Sequence, residues 1–191
     1  MAYPIRYLPG ACAYFITSRT TQGRLLLRPS TEVNELIGAV LARAVRKHRV
    51  ELHDFVFTSN HFHLIVTPHD ALALCKFMQF LQSNIAIKVG RFVNWRNRFW
   101  ARRYSCEPIL DDNAFLDRMR YIHSHGVKER LVARVEDWPG LSALPELAEG
   151  VRRAFGWRNW TELWQQFKAG KRSRVGRNER YNDDCPTEPE E

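Results

Sequence analysis

The chain reads as an α+β fold of ferredoxin-like β-α-β-β-α-β order. Three observations predict it: two long segments with helical apolar spacing, four short β-rich runs, and their alternation along the first 110 residues. Residues 12–18 (CAYFITS) follow Pro9-Gly10 as a first strand would. A helix over 31–48 comes next, capped by Ser30 or Thr31, with Val33, Leu36, Ile37, Val40, Leu41, Ala44 and Val45 on one face. Two short strands, 51–57 and 61–67, joined by Thr58-Ser59-Asn60, suggest a hairpin. Pro68 stops the second of them. Asp70 caps a further helix running to about residue 92, with Leu72, Leu74, Phe77, Leu81, Ile85 and Val89 along it. Residues 105–110 (SCEPIL) form a last strand, which Pro108 places at an edge or a bulge.

Beyond this unit, Asp111 or Asp112 starts a helix through about Ser124 that ends near Gly126, and Pro139-Gly140 marks a loop. Short helices are expected over 144–155 and 159–167. The second carries Trp160, Leu163, Trp164 and Phe167 at core spacing. From Ala169 the chain is rich in charge, Gly and Pro, and a largely disordered tail is expected. The implied division is a main domain over 1–145, a helical extension over 146–168 and a tail over 169–191.

At 191 residues with 45% hydrophobic and 26% charged side chains, the composition is globular. No apolar run approaches the roughly 20 residues that span a bilayer, and the N-terminus has no secretory signal pattern. A soluble cytoplasmic protein is expected. Cys12, Cys75, Cys106 and Cys185 are scattered without a CxxC pair, which argues against a zinc finger or a disulfide framework. Charge is more informative. Five of the 21 acidic residues lie in the last nine positions, so residues 1–182 hold 29 basic against 16 acidic side chains, a net +13. Such a surplus attracts polyanions, of which nucleic acid is the commonest in cytosol.

The stretch Asn60-His61-Phe62-His63-Leu64-Ile65-Val66 puts two histidines one residue apart on a strand. Alternation sends His61, His63 and Ile65 to one face and Phe62, Leu64 and Val66 to the core. Two imidazoles then converge as half of a metal site. In the helix after residue 111, Phe115, Leu116, Met119 and Ile122 make an apolar stripe with His123 at its edge, a packing position. Tyr121 and His125, four residues apart, share another face next to Asp117. If that face lies over the two-histidine face of the sheet, His61, His63 and His125 can hold one cation with Tyr121 in reach.

The segment NHFHLIV resembles the His-hydrophobic-His signature of single-tyrosine transposases. WARRYSCEPIL (100–110), RYIHSHGVKERLV (120–132) and DWPGLSAL (137–144) resemble, in order and spacing, later segments of the REP-associated tyrosine transposase branch. The resemblance runs from about Cys12 to Leu144. It implies the ferredoxin-like fold, His61 and His63 as catalytic metal ligands for Mg²⁺ or Mn²⁺, Tyr121 as nucleophile, and single-stranded or hairpin DNA as substrate, in a bacterial cytoplasm, with the protein nucleoid-associated when bound. It leaves monomer and homodimer open. Where the family commonly continues Leu-Asn-Pro, this chain has Ser124-His125-Gly126, so the expected third ligand is an imidazole instead of an amide; that leaves open a preserved site, a preference shifted toward softer ions such as Mn²⁺ or Zn²⁺, and a site that has drifted.

Arg96, Arg98, Trp100, Arg102, Arg103 and Tyr104, with Trp95 and Phe99 among them, interleave cations and aromatics as single-strand binding favours. Packing of the preceding helix end competes for the aromatics. Tyr104 is a rival nucleophile without a helix-registered ligand, and phosphate contact suits it better. Lys171, Arg172, Arg174, Arg177 and Arg180 add nonspecific phosphate affinity or a solvated tail. Two further classes stay open: a domesticated, catalytically silent hairpin-binding protein, and a three-histidine zinc hydrolase unrelated to DNA.

Overall fold

Ser30, Asp70 and Asp111 each accept a hydrogen bond from the backbone N–H three residues on, at Val33, Ala73 and Ala114. Those N–H groups would otherwise lack partners, so each cap fixes where a helix begins. The computed structural model of the protein describes Leu8, residues 12–150 and residues 152–157. The chain divides into two compact units, Met1–Arg153 and Ala154–Glu191. Every described helix and strand falls in the first: β1 (Tyr14–Arg19), α1 (Thr31–His48), β2 (Glu51–Phe57), β3 (His61–Thr67), α2 (Ala71–Phe92), β4 (Ser105–Pro108), α3 (Asp112–Lys128) and α4 (Leu144–Glu149). The expected helix over 159–167 with its Trp-Leu-Trp-Phe stripe, and the charged tail, lie outside the described residues.

The four strands form one antiparallel sheet in the order β2-β3-β1-β4. This is the ferredoxin-like topology that the element order predicted. Period-2 alternation then assigns the layers. Tyr14 and Ile16 of β1, paired with Val66 and Leu64 of β3, are fully buried on the face covered by α1 and α2, where Leu74, Phe77, Met78, Leu81, Ile85 and Val89 of α2 meet them. Burial of each such side chain stabilises by about 1.5–3 kcal/mol relative to exposure. On the opposite face Phe15, Val56, Ile65 and Ile109 form a smaller cluster with Ile122 of α3, edged by Phe115 and Met119. Leu116, expected in that stripe, is 48% exposed instead.

Two boundaries differ from expectation. Helix α3 continues through Gly126 to Lys128, and a Cβ at 126 would lie 3.0 Å from the Trp138 ring and 3.1 Å from Val132. This glycine is a packing site, not a helix stop. The segment 144–155 is helical only through Glu149, where Gly150 turns left-handed (φ 67°) and ends α4. Unforeseen is the strip after Trp138: Phe57 donates its N–H to the Leu141 carbonyl (2.8 Å), Ala143 donates to the Phe55 carbonyl (3.0 Å), and Val56 bridges Ser142. It covers the outer edge of β2, which would otherwise present unpaired backbone groups. Among the described residues no helix is long and apolar enough to cross a membrane.

Candidate functional site

Residues on β1 and β3 that face each other in register point to the same side of the sheet, so Thr17 and Arg19 lie opposite His63 and His61 on the α3 face. Helix α3 crosses that face through Ile122 and delivers His125 onto both strand histidines. Ring centroids are 5.0 Å apart for His61 and His63, 4.7 Å for His61 and His125, and 4.9 Å for His63 and His125. One ligand nitrogen from each lies within 4.8 Å of the others, and all three side chains are buried, at 6%, 4% and 3% exposure. The expected convergence of the three histidines is what the fold brings about.

The hydrogen bonds around His61 determine which nitrogen is free. Its Nδ1 lies 2.9 Å from Thr58 Oγ1 and 2.6 Å from Asn60 Oδ1. The Thr58 hydroxyl already donates to the His61 carbonyl, and the Asn60 amide nitrogen donates to the Gly23 carbonyl, so both oxygens act as acceptors toward the ring. Nδ1 therefore carries the hydrogen and Nε2 is a bare lone pair. His63 Nδ1 meets Thr17 Oγ1 at 2.8 Å, which leaves Nε2 buried and without a hydrogen-bond partner among the described residues. The 2.7 Å between His61 Nε2 and His125 Nε2 means that one proton is shared there when nothing else occupies the gap.

Burial, reinforced by neighbouring positive charge, disfavours the imidazolium at all three positions. Desolvation, then His125 and Arg19, brings His61 down to about 4. Desolvation, then the other two histidines, Arg19 and Arg118, brings His63 to about 2. His125 is lowered by desolvation first, with Glu129 opposing and Lys128 and Arg19 assisting. Neutral imidazoles, a buried bare nitrogen and convergent donors fit a divalent transition-metal ion.

Tyr121 stands beside this cluster on the same face of α3. Its ring lies edge-on to His63 (5.2 Å) and His125 (5.3 Å) and packs against Phe15 (5.9 Å). Lys128 Nζ sits 5.0 Å over it. His123 takes the packing position read from its place on the helix, and its Nε2 is 3.1 Å from Asp54 Oδ2. Asp54 is fully buried at a register irregularity of β2, and its other oxygen accepts from Phe55 N–H at 2.7 Å. Burial raises the Asp54 pKa, against the pull of His123. Thr17, Thr58, Asn60 and Asp54 were not singled out from sequence. For Asp54 the available signal was one acid inside the apolar run His53-Asp54-Phe55-Val56-Phe57; for Thr17 it required the strand register.

The loop from 93 to 104 returns alongside the site. Ala101 N–H donates to the Arg19 carbonyl (2.9 Å), Thr21 N–H donates to the Phe99 carbonyl (2.8 Å), and Thr20 bridges Trp100. Arg96, Arg98, Arg102 and Arg103 are exposed along it. Trp100 donates its indole N–H to the Gln82 carbonyl (2.9 Å) and packs against Phe62 and Phe99, and Tyr104 is only 8% exposed. Trp100 keeps part of its surface open, whereas Tyr104 is largely covered. Trp95 is partly open as well, with the Arg24 guanidinium 4.8 Å over its ring and its indole N–H donating to the Arg98 carbonyl (3.2 Å).

A family model described as "Transposase IS200 like" matches residues 12–125, which takes in all three histidines and Tyr121. Among solved structures, the chain is similar to a REP-associated tyrosine transposase bound to a REP hairpin. The TM-score is 0.66 at 20% identity, covering 83% of this chain and 92% of that one, a likeness of fold. A candidate transposase from Deinococcus radiodurans R1 aligns with TM-score 0.45 and 16% identity over 64% of this chain and 95% of that one. A search of curated proteins finds no match.

Proposed function

Because the chain belongs to the IS200-like transposase family, we propose that it is a metal-dependent single-stranded DNA endonuclease and strand transferase that cuts hairpin-associated DNA through a 5′-phosphotyrosine on Tyr121. The single observation that carries this reading is Tyr121 beside three converging neutral histidines, on the same face of one helix as His125. A tyrosine among imidazoles suits phosphoryl transfer to an oxygen nucleophile. The hairpin in the structural relative's complex supports the substrate class and the REP-associated branch.

His61, His63 and His125 would hold a divalent ion through one ring nitrogen each, and such an ion supplies Lewis-acid polarisation of a phosphate. The rest belongs to the chain. The Tyr121 hydroxyl oxygen bonds to phosphorus as the bond from phosphorus to the 3′ oxygen breaks; the phenolic proton is lost to solvent and the departing 3′ oxygen takes one up. The phosphodiester energy stays in the new ester, so a later 3′-hydroxyl attack can rejoin strands. Thr17, Thr58 and Asn60 keep the strand imidazoles oriented. Arg96, Arg98, Arg102 and Arg103 hold the backbone of the single strand. Residues 1–145 would form the catalytic domain, with 146–168 a helical extension and 169–191 a charged tail.

The test is incubation of wild type and Tyr121→Phe with 5′- and 3′-labelled hairpin oligonucleotides and Mg²⁺ or Mn²⁺ on a denaturing gel. A metal-dependent covalent adduct on the 3′ fragment, lost in Tyr121→Phe, is expected. Tight hairpin binding with no adduct under either ion replaces the reading with a catalytically silent DNA-binding protein.

A further inference from the structure

Arg19 is the last residue of β1 and pairs in register with His61. Directly opposed residues of antiparallel strands have Cβ atoms about 4.5–5.5 Å apart on one face. The Thr17–His63 hydrogen bond two residues earlier shows that this face is the one carrying the histidines. Arg19 is exposed, and among the described residues its side chain makes no hydrogen bond or ion pair. The other cations near the site are engaged: Arg118 is paired with Glu107 (2.9 Å) and lies over Phe15, and Lys128 lies over Tyr121. The Arg19 carbonyl anchors the loop that carries Arg102 and Arg103. A guanidinium beside a buried donor cluster, with no acid paired to it among the described residues, is poised for an anion brought to that cluster.

We infer that Arg19 is a further catalytic residue, whose guanidinium donates to a non-bridging oxygen of the scissile phosphate. The inference rests on the transposase reading and extends it. As the tyrosine oxygen bonds to phosphorus and the 3′ oxygen departs, the non-bridging oxygens gain negative charge, and a preorganised donor there favours the transition state over the bound substrate.

The test uses the full chain and a labelled hairpin oligonucleotide whose cleaved phosphate is first mapped with wild type. Adduct formation is timed for wild type, Arg19→Ala and Arg19→Lys on that oligonucleotide, and on the same one bearing either methylphosphonate stereoisomer at the mapped phosphate. Metal affinity by calorimetry and hairpin affinity are read in parallel. Arg19→Ala is expected to slow adduct formation on the phosphodiester by about 10²–10³-fold with metal affinity unchanged. Arg19→Lys should fall between. On one methylphosphonate isomer, where the contacted oxygen is gone, Arg19→Ala should be nearly as fast as wild type. Equal slowing on every substrate, or none, overturns the role and leaves the transposase reading standing. A wild type that binds hairpins and metal yet forms no adduct overturns both.

Discussion

In the metal site we propose, an imidazole at 125 where the resembling family carries an amide makes the donor set all-nitrogen instead of mixed, and nitrogen donors favour softer ions than Mg²⁺. Calorimetry should therefore show Zn²⁺ or Mn²⁺ bound more tightly than Mg²⁺, with the gap narrowing in His125→Asn; a wild type that prefers Mg²⁺ would sink this. Orientation matters as much as identity. Thr17→Val removes the partner that holds His63 Nδ1 and should weaken metal binding about 10–100-fold with little change in fold, since Thr17 is only half-buried. In metal-free protein the same histidines set a pH response. Their folded values lie below the ordinary 6.5, about 4 at His61. Below pH 6.5 the unfolded chain takes up protons that the folded chain refuses, so stability falls as pH falls, by about 1.4 kcal/mol per unit for each such histidine. Denaturant midpoints in chelator at pH 7.5, 6.5 and 5.5 measure this, and a flat profile would show that the folded site accepts protons.

Helix α3 carries Tyr121, the nucleophile we propose, so how firmly it is held on the sheet decides how well that side chain is aimed. The clamp has three parts: His123 against buried Asp54, Trp138 on Gly126, and the strip 141–143 on the edge of β2. Asn34 adds a bond from its side chain to the Pro139 carbonyl (2.8 Å), tying the strip to α1. Gly140 admits no side chain, because a Cβ there would lie 2.7 Å from the Phe57 carbonyl. Trp138→Ala should cost about 2–4 kcal/mol, somewhat under the range for a fully buried tryptophan, and should slow adduct formation while metal affinity, set largely by β3, changes less. Equal loss of both would mean that the helix and the strands respond as one rigid unit. Little of this clamp was legible in advance. Helix and strand periods report faces, and caps report ends, so Ser30, Asp70 and Asp111 could be read directly. Gly126 looked like a helix stop because the ring that fills its place comes from twelve residues further on.

For the molecule as a whole, the sheet separates two tasks: α1 and α2 seal an apolar face, while the opposite face holds a small cluster and the histidines. That division follows from alternation along Phe62, His63, Leu64 and Ile65, which is why the heptapeptide Asn60 to Val66 was enough to assign two histidines to the face away from α1 and α2, while the third needed the pattern of α3. The surroundings of the aromatics were less readable, because spacing alone does not show that the indole N–H of Trp100 goes to the Gln82 carbonyl and that of Trp95 to the Arg98 carbonyl. What the loop from 93 to 104 does offer is charge, and charge has a thermodynamic signature. Each phosphate neutralised on a single strand contributes about −0.7 to the slope of log K against log salt. If Arg102 and Arg103 each hold one phosphate, the double substitution Arg102→Gln/Arg103→Gln should make that slope shallower by about 1.4, read by fluorescence anisotropy of a labelled single strand between 50 and 300 mM NaCl. Affinity at low salt should fall more than affinity at high salt. An unchanged slope would move the phosphate contacts to other cations, Lys171, Arg172 and Arg174 first among them, and would leave the loop as a structural brace between α2 and β1.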